Sequence, residues 1–178
     1  MAEHYEGVRM RNLGLWALLV AGAAITPALA LPPLDPKDGA IFPEAHAKDL
    51  LRQCSRAAPG PVEGTWAPSA GQIKELETRL PEALDNVFAK RGAYRDRPHD
   101  FLRQYAGFIV HGRKIVYMNA FPRELLDEEK GFFDQRKIAP PDWRSEAKGV
   151  CDGGPAFFGV EYDPATKTFS HFAFNGLA

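Results

Sequence analysis

Two runs of strand-forming residues, YAGFIV (105–110) and KIVYMNAF (114–121), stand on either side of His111-Gly112-Arg113. Both are rich in β-branched and aromatic residues, and Gly112 supplies the positive φ that a tight connection needs. A chain holding such a pair must fold it into an antiparallel hairpin, and whatever else it contains has to cover that hairpin's faces. The last quarter repeats the arrangement. AFFGVEY (156–162) and TFSHFAF (168–174) are separated by DPATK, with Asp163 and Pro164 where a turn starts.

The helical signals lie before the hairpins. Ser69 stands three residues ahead of Gln72, a capping-box spacing. Ile73, Leu76, Leu80, Leu84, Val87 and Phe88 follow on one helical face. Pro81 interrupts that run and is expected to kink or split it, and Gly92 is a plausible stop. EAHAKDLLRQC (44–54) reads as a shorter helix, with Leu50, Leu51 and Cys54 at helical spacing. LPPLDPKDGAIFP (31–43) reads as an extended lead-in, SRAAPGPVEGTWAPS (55–69) as a loop, and residues 122–149 as a long polar excursion with one helical turn at 124–129. The expected fold is therefore α+β: N-terminal helices packed on one face of a four-stranded antiparallel sheet made of two hairpins.

The N-terminus has a different character. Arg9 and Arg11 precede an apolar run from Leu13 to Ile25, which ends near Ala28-Leu29-Ala30. This is the pattern of a secretory signal cleaved after Ala30, and the run is shorter than the ~20 residues of a membrane span. The expected organisation is a signal peptide (1–30), then an extended lead-in, short helix and loop (31–68), then an α+β domain (69–178). Export puts the protein in the periplasm or outside the cell, with no stable membrane insertion once the signal is removed. Only two cysteines are present, Cys54 and Cys151. In an oxidising compartment they are expected to pair, stapling the early helix to the domain. A loop of that length is worth about 4–5 kcal/mol in the chain-entropy account of disulfides. A redox pair is the functional alternative, although no Cys-x-x-Cys is present.

The net charge of −1 gives no reason to expect nucleic acid as a partner. No Gly-x-Ser-x-Gly or phosphate-loop pattern occurs, and His46, His99, His111 and His171 do not stand at metal-ligand spacing, so neither a metal nor another cofactor is expected. The remaining chemistry is concentrated in the second hairpin. Pairing Tyr162 with Thr168 sets Phe158 against Phe172, Glu161 against Phe169 and Gly159 against His171. Phe158, Val160, Tyr162, Phe172 and Phe174 then share one face, and Phe157, Glu161, Phe169 and His171 the other. Glu161 and His171 lie diagonally, where a carboxylate can fix the imidazole tautomer for general-base work. Asp152, ahead of Gly153 and Gly154, is a third candidate for catalysis, with turn-making as the bland alternative. Arg103, Tyr105, Tyr117 and Asn119 are candidates to line a binding pocket.

TWAPS, RQYAGFIVHGRKIVYMNAF, CDGGPAFFGVEYDPATKTF and FNG together resemble a set of uncharacterised secreted bacterial proteins, over Trp66 to Ala178, about two thirds of the chain. The resemblance implies a genuine domain in a bacterial envelope setting. It brings no established activity, so no catalytic residue carries over. The leading expectation is an exported module that binds a protein or envelope ligand. The alternatives are a small hydrolase-like enzyme using Glu161 and His171, and a purely structural envelope protein.

Overall fold

A computed structural model describes residues 38–88 and 101–176. The signal sequence, its cleavage site, most of the lead-in and the Gly92 stop lie outside the described residues.

The first hairpin is longer than its sequence core. Strands β3 (Phe101–Val110) and β4 (Arg113–Pro122) pair along their full lengths, from Phe101 opposite Pro122 to Val110 opposite Arg113. The turn takes two residues, His111 (φ +50°) and Gly112 (φ +69°), the left-handed pair that matches the twist of the strands. The strands β5 (Phe158–Asp163) and β6 (Thr168–Phe174) form the second hairpin, and β5 pairs antiparallel with β4. Asp163 starts the intervening turn as expected. Its Oδ1 accepts from the amides of Ala165 (2.9 Å) and Thr166 (3.2 Å).

The sheet has six strands, not four. Part of the lead-in forms β1 (Gly39–Ile41), and part of the expected loop forms β2 (Val62–Trp66). Both dock on the outer edge of β3, β1 in parallel and β2 antiparallel, so the sheet is mixed. Short segments interrupted by Gly and Pro carry too little periodicity to announce themselves. A ten-residue edge on β3 nevertheless leaves unpaired backbone groups that such segments can satisfy.

The expected packing on one face is also revised, because the sheet is covered on both. Helix α1 (Ala70–Phe88) runs unbroken through Pro81. Its capping box forms: the Gln72 amide donates to Ser69 Oγ (3.3 Å) and the Ser69 amide to Gln72 Oε1 (2.9 Å). Ile73, Leu76 and Leu80 pack on Phe101, Tyr105, Val116, Met118, Phe158, Val160 and Tyr162. The opposite face carries Ala106, Phe108, Val110, Ile115 and Tyr117, covered by Phe42, Ala47 and Leu50. Ala47 and Leu50 belong to a 3-10 helix, Glu44–Leu51, which stops before Cys54. Strand alternation puts these two sets on opposite sides, because neighbouring side chains along β3 and β4 point to opposite faces.

The 122–149 excursion contains a full helix, α2 (Glu124–Arg136), where one turn was expected. It is followed by a strap that lays Trp143 against Phe121 (ring centroids 6.1 Å) and leads to Cys151. Cys54 and Cys151 form a disulfide with Cα atoms 5.1 Å apart. The staple therefore joins two loops rather than a helix and a strand.

Candidate functional site

The second hairpin pairs in a different register from the one alternation implies. Asp163 faces Thr168, Tyr162 faces Phe169 and Glu161 faces Ser170, and then Gly159 faces Ala173 and Phe158 faces Phe174. One extra residue of β6 is absorbed between these pairs. The kink lies at His171, whose φ of +49° is left-handed. A bulge of this kind resets the alternation. Phe169, Phe172 and Phe174 therefore all pack on the α1 side, and Phe169 lies against Tyr162 at 4.9 Å. The assignment of Phe169 to the opposite face is thereby corrected.

The bulge also brings Glu161 and His171 together. His171 Nδ1 lies 2.9 Å from Glu161 Oε2. The Glu161 side chain is 10% exposed and that of His171 75% exposed, so a buried carboxylate holds one ring nitrogen of a solvent-facing imidazole. An Nδ1–H donated to Glu161 leaves Nε2 as the free acceptor, the tautomer suited to taking up a proton. Among positive-φ positions, His is one of the more tolerated non-glycine residues, although the conformation still carries a cost.

Glu161 sits opposite Tyr117, and Gly159 opposite Asn119. Gly159 is glycine for a steric reason. A Cβ there would stand 2.4 Å from the Tyr117 hydroxyl. Across this patch lies Arg56, a residue that sequence reasoning passed over. Its guanidinium donates to Asn175 Oδ1 (3.0 Å) and to Asn119 Oδ1. Arg56 Nε and Tyr117 Oη are buried and have no hydrogen-bond partner among the described residues. Burial pushes the Tyr117 hydroxyl pKa up, the nearby Arg56 charge opposes that shift, and Glu161 adds to it.

Asn119 is part of a wider amide network. Its Nδ2 donates to Gln104 Oε1 and to the Lys148 carbonyl, both at 2.8 Å. Gln104 Nε2 donates to the carbonyls of Trp143 (2.6 Å) and Glu146 (2.8 Å), and its Oε1 accepts from the Lys148 amide (3.0 Å). Each amide group is saturated, and the network ties the strap to the sheet. Asn119 is thus occupied by the protein's own groups, the Gln104 and Arg56 side chains and the Lys148 carbonyl.

The other two pocket candidates lie on the opposite face. Arg103 donates to Glu77 Oε2 (3.1 Å), and the Tyr105 hydroxyl donates to Glu77 Oε1. Glu77 is an α1 residue among the apolar positions, so this triad fastens the helix to the sheet. Burial raises the Glu77 pKa, with Arg103 and Tyr105 opposing, and raises that of Tyr105 well above the usual tyrosine value, with Glu77 adding to the rise. The four pocket candidates therefore fall into two pairs separated by the sheet. The contacts of Asp152 run through its backbone. Its carbonyl accepts from Asn175 Nδ2 (3.1 Å), while Gly153 and Gly154 turn the chain at φ +95° and +55°. Among the described residues, no three His, Cys, Asp or Glu side chains gather as a metal site would require.

The signals for the missed residues were modest. Glu77 interrupts an apolar stripe at a position that faces inward, Arg56 follows a cysteine by two, and Asn175 comes directly after the last strand. No family model, curated protein or solved structure matches the chain.

Proposed function

We propose that the chain is an exported, disulfide-stapled binding module that engages a protein partner through α2. One observation carries this reading: α2 is anchored on one side, where Leu125 and Leu126 are partly buried against Ala40, Leu102, Phe121 and Trp143 and Glu129 pairs with Lys148, but its C-terminal end leaves large apolar side chains in the open. Phe132 is 50% exposed, and Ile138, just beyond the helix, is 56% exposed. Phe132 stands edge-on to Phe133 at 5.3 Å, and the Arg136 guanidinium lies over its ring at 3.5 Å. Lys137 takes a left-handed turn (φ +56°), and the Ile138 amide bonds back to the Phe133 carbonyl (3.1 Å). The helix therefore ends in an apolar cluster rimmed by two cations, Arg136 and Lys137. Its complement is a partner surface with an apolar pocket and acidic borders. The disulfide suits an oxidising compartment, and no helix among the described residues is long and apolar enough to cross a membrane.

The test is affinity capture from a native envelope extract with three baits: the unaltered chain, Phe132→Asp/Ile138→Asp, and His171→Ala. A specific partner should be held by the first and third baits and lost by the second. Equal capture by all three, or capture of lipid in place of protein, would overturn the reading.

The Glu161–His171 contact favours a second reading, a small hydrolase-like enzyme with His171 as general base. It predicts turnover of activated esters that disappears in His171→Ala and Glu161→Gln while both variants stay folded. Equal turnover by the unaltered and variant chains removes it.

A further inference from the structure

Cys54 and Cys151 are both exposed residues, yet the loops that carry them are also held together without the disulfide. The adaptor is the chain's own C-terminal segment. Asn175 Nδ2 donates to the carbonyls of Val150 and Asp152, one on each side of Cys151. Asn175 Oδ1 accepts from Arg56, two residues beyond Cys54. The Gly176 amide donates to Ser55 Oγ (3.2 Å), next to Cys54, and the Gly176 carbonyl accepts from the Gly154 amide (3.0 Å). Arg56 in turn grips Asn119, which is embedded in β4. Arg56, Asn119 and Asn175 are all buried. The covalent bridge thus lies on the surface above a buried polar bridge that spans the same gap.

From this we infer that Cys54–Cys151 is an exchangeable thiol site, opened and closed within the folded protein by a partner of the dithiol class. A partner thiolate attacks the sulfur of one cysteine, and the Cys54–Cys151 bond breaks. The other cysteine leaves as a thiolate and takes up a proton. The partner's second thiol resolves the mixed disulfide. The partner ends as a disulfide and this chain as two thiols, a transfer of two electrons and two protons. The polar bridge gives the reduced form its character. It keeps both thiols near one another at high effective concentration, so that an oxidant closes the bond again.

The experiment treats the purified oxidised chain with dithiothreitol in the absence of denaturant. Free thiols are trapped with iodoacetamide and counted by mass spectrometry, and tertiary structure is followed by near-ultraviolet circular dichroism. Both cysteines should be alkylated while the dichroism stays native, and oxidised glutathione should restore the bond in untrapped protein. Alkylation only after denaturant is added, or loss of the native signal together with the bond, would overturn the inference. Asn175→Ala tests the polar bridge itself and should slow re-oxidation about tenfold, the factor that corresponds to 1.4 kcal/mol. If that variant does not fold, Ser55→Ala, which removes a single bond to Gly176, should slow it about twofold to threefold. Re-oxidation at the unaltered rate in the variant that folds contradicts the role given to the polar bridge.

Discussion

Glu77 shows how one residue on an apolar stripe can be both an anchor and a liability. Its carboxyl is buried against Arg103 and Tyr105, and burial raises its pKa above the ordinary 4.5. The folded state therefore binds this proton more tightly than the unfolded chain does. Well below 4.5 both states are protonated and the site is silent. As pH rises from there through the raised value, unfolding releases a proton and stability falls. Denaturant melts across the acid range should show this decline, and Glu77→Gln should flatten it. A second residue-scale prediction concerns His171. Its contact with Glu161 is mostly exposed on the imidazole side and contributes about 0–1 kcal/mol. Glycine accepts the left-handed backbone at that position more readily than any other residue. His171→Gly should therefore stay within about 1 kcal/mol of the parent in chemical denaturation, whereas His171→Val should cost more, because a β-branched side chain fits poorly at positive φ. The Glu161–His171 contact was legible in the sequence, whereas Arg56 was not, because a lone arginine in a Pro- and Gly-rich loop carries no periodic signal that it is buried.

At the scale of elements, α1 was legible because its cap and its stripe agreed, and the first hairpin because two apolar runs bracket a glycine turn. The second hairpin was legible as a hairpin but not in register: Tyr162 already faces Phe169 rather than Thr168 at the turn, and the extra residue at His171 then changes which side chains share a face. A bulge leaves no mark in composition. Its consequence is testable, because Phe158 is 3% exposed while Phe172 is only half-buried. Phe158→Ala should cost about 3–5 kcal/mol, and Phe172→Ala roughly half as much, since less of its ring leaves water on folding. Equal losses in urea melts would contradict the bulged register. Helix α2 was legible only as a single turn at 124–129. Its inward side is thin, Leu125 and Leu126 with Glu129 on Lys148, and none of its residues is fully buried, so the apolar stripe that marks a longer helix is weak.

For the whole molecule, the α+β class follows from helices ahead of hairpins, and the sheet's mixed edge does not. β1 and β2 are short and borrow their order from β3, so a local reading misses them. The assignment of all helices to one face failed for a similar reason. Both faces of β3 and β4 are apolar, as their near-continuous burial shows, and a sheet of that kind needs two covers. The expected signal sequence lies outside the described residues and has its own test. Sequencing the exported protein should find Leu31 at its start, and a membrane-bound form retaining Leu13–Ile25 would point to an anchor instead.

The double cover is the claim on which the rest depends. It sets the strap, the Arg56 bridge and the exposed α2 in place on one side, and α1 with Glu77 on the other. Native-state hydrogen exchange tests it most directly. With both faces shielded, the amides of β3, β4 and β5 should exchange only through global unfolding, and their protection should fall in step with overall stability as denaturant is added. Exchange in β4 or β5 at the rates of exposed loops, unchanged by denaturant, would mean that one face is open to water and would contradict the account.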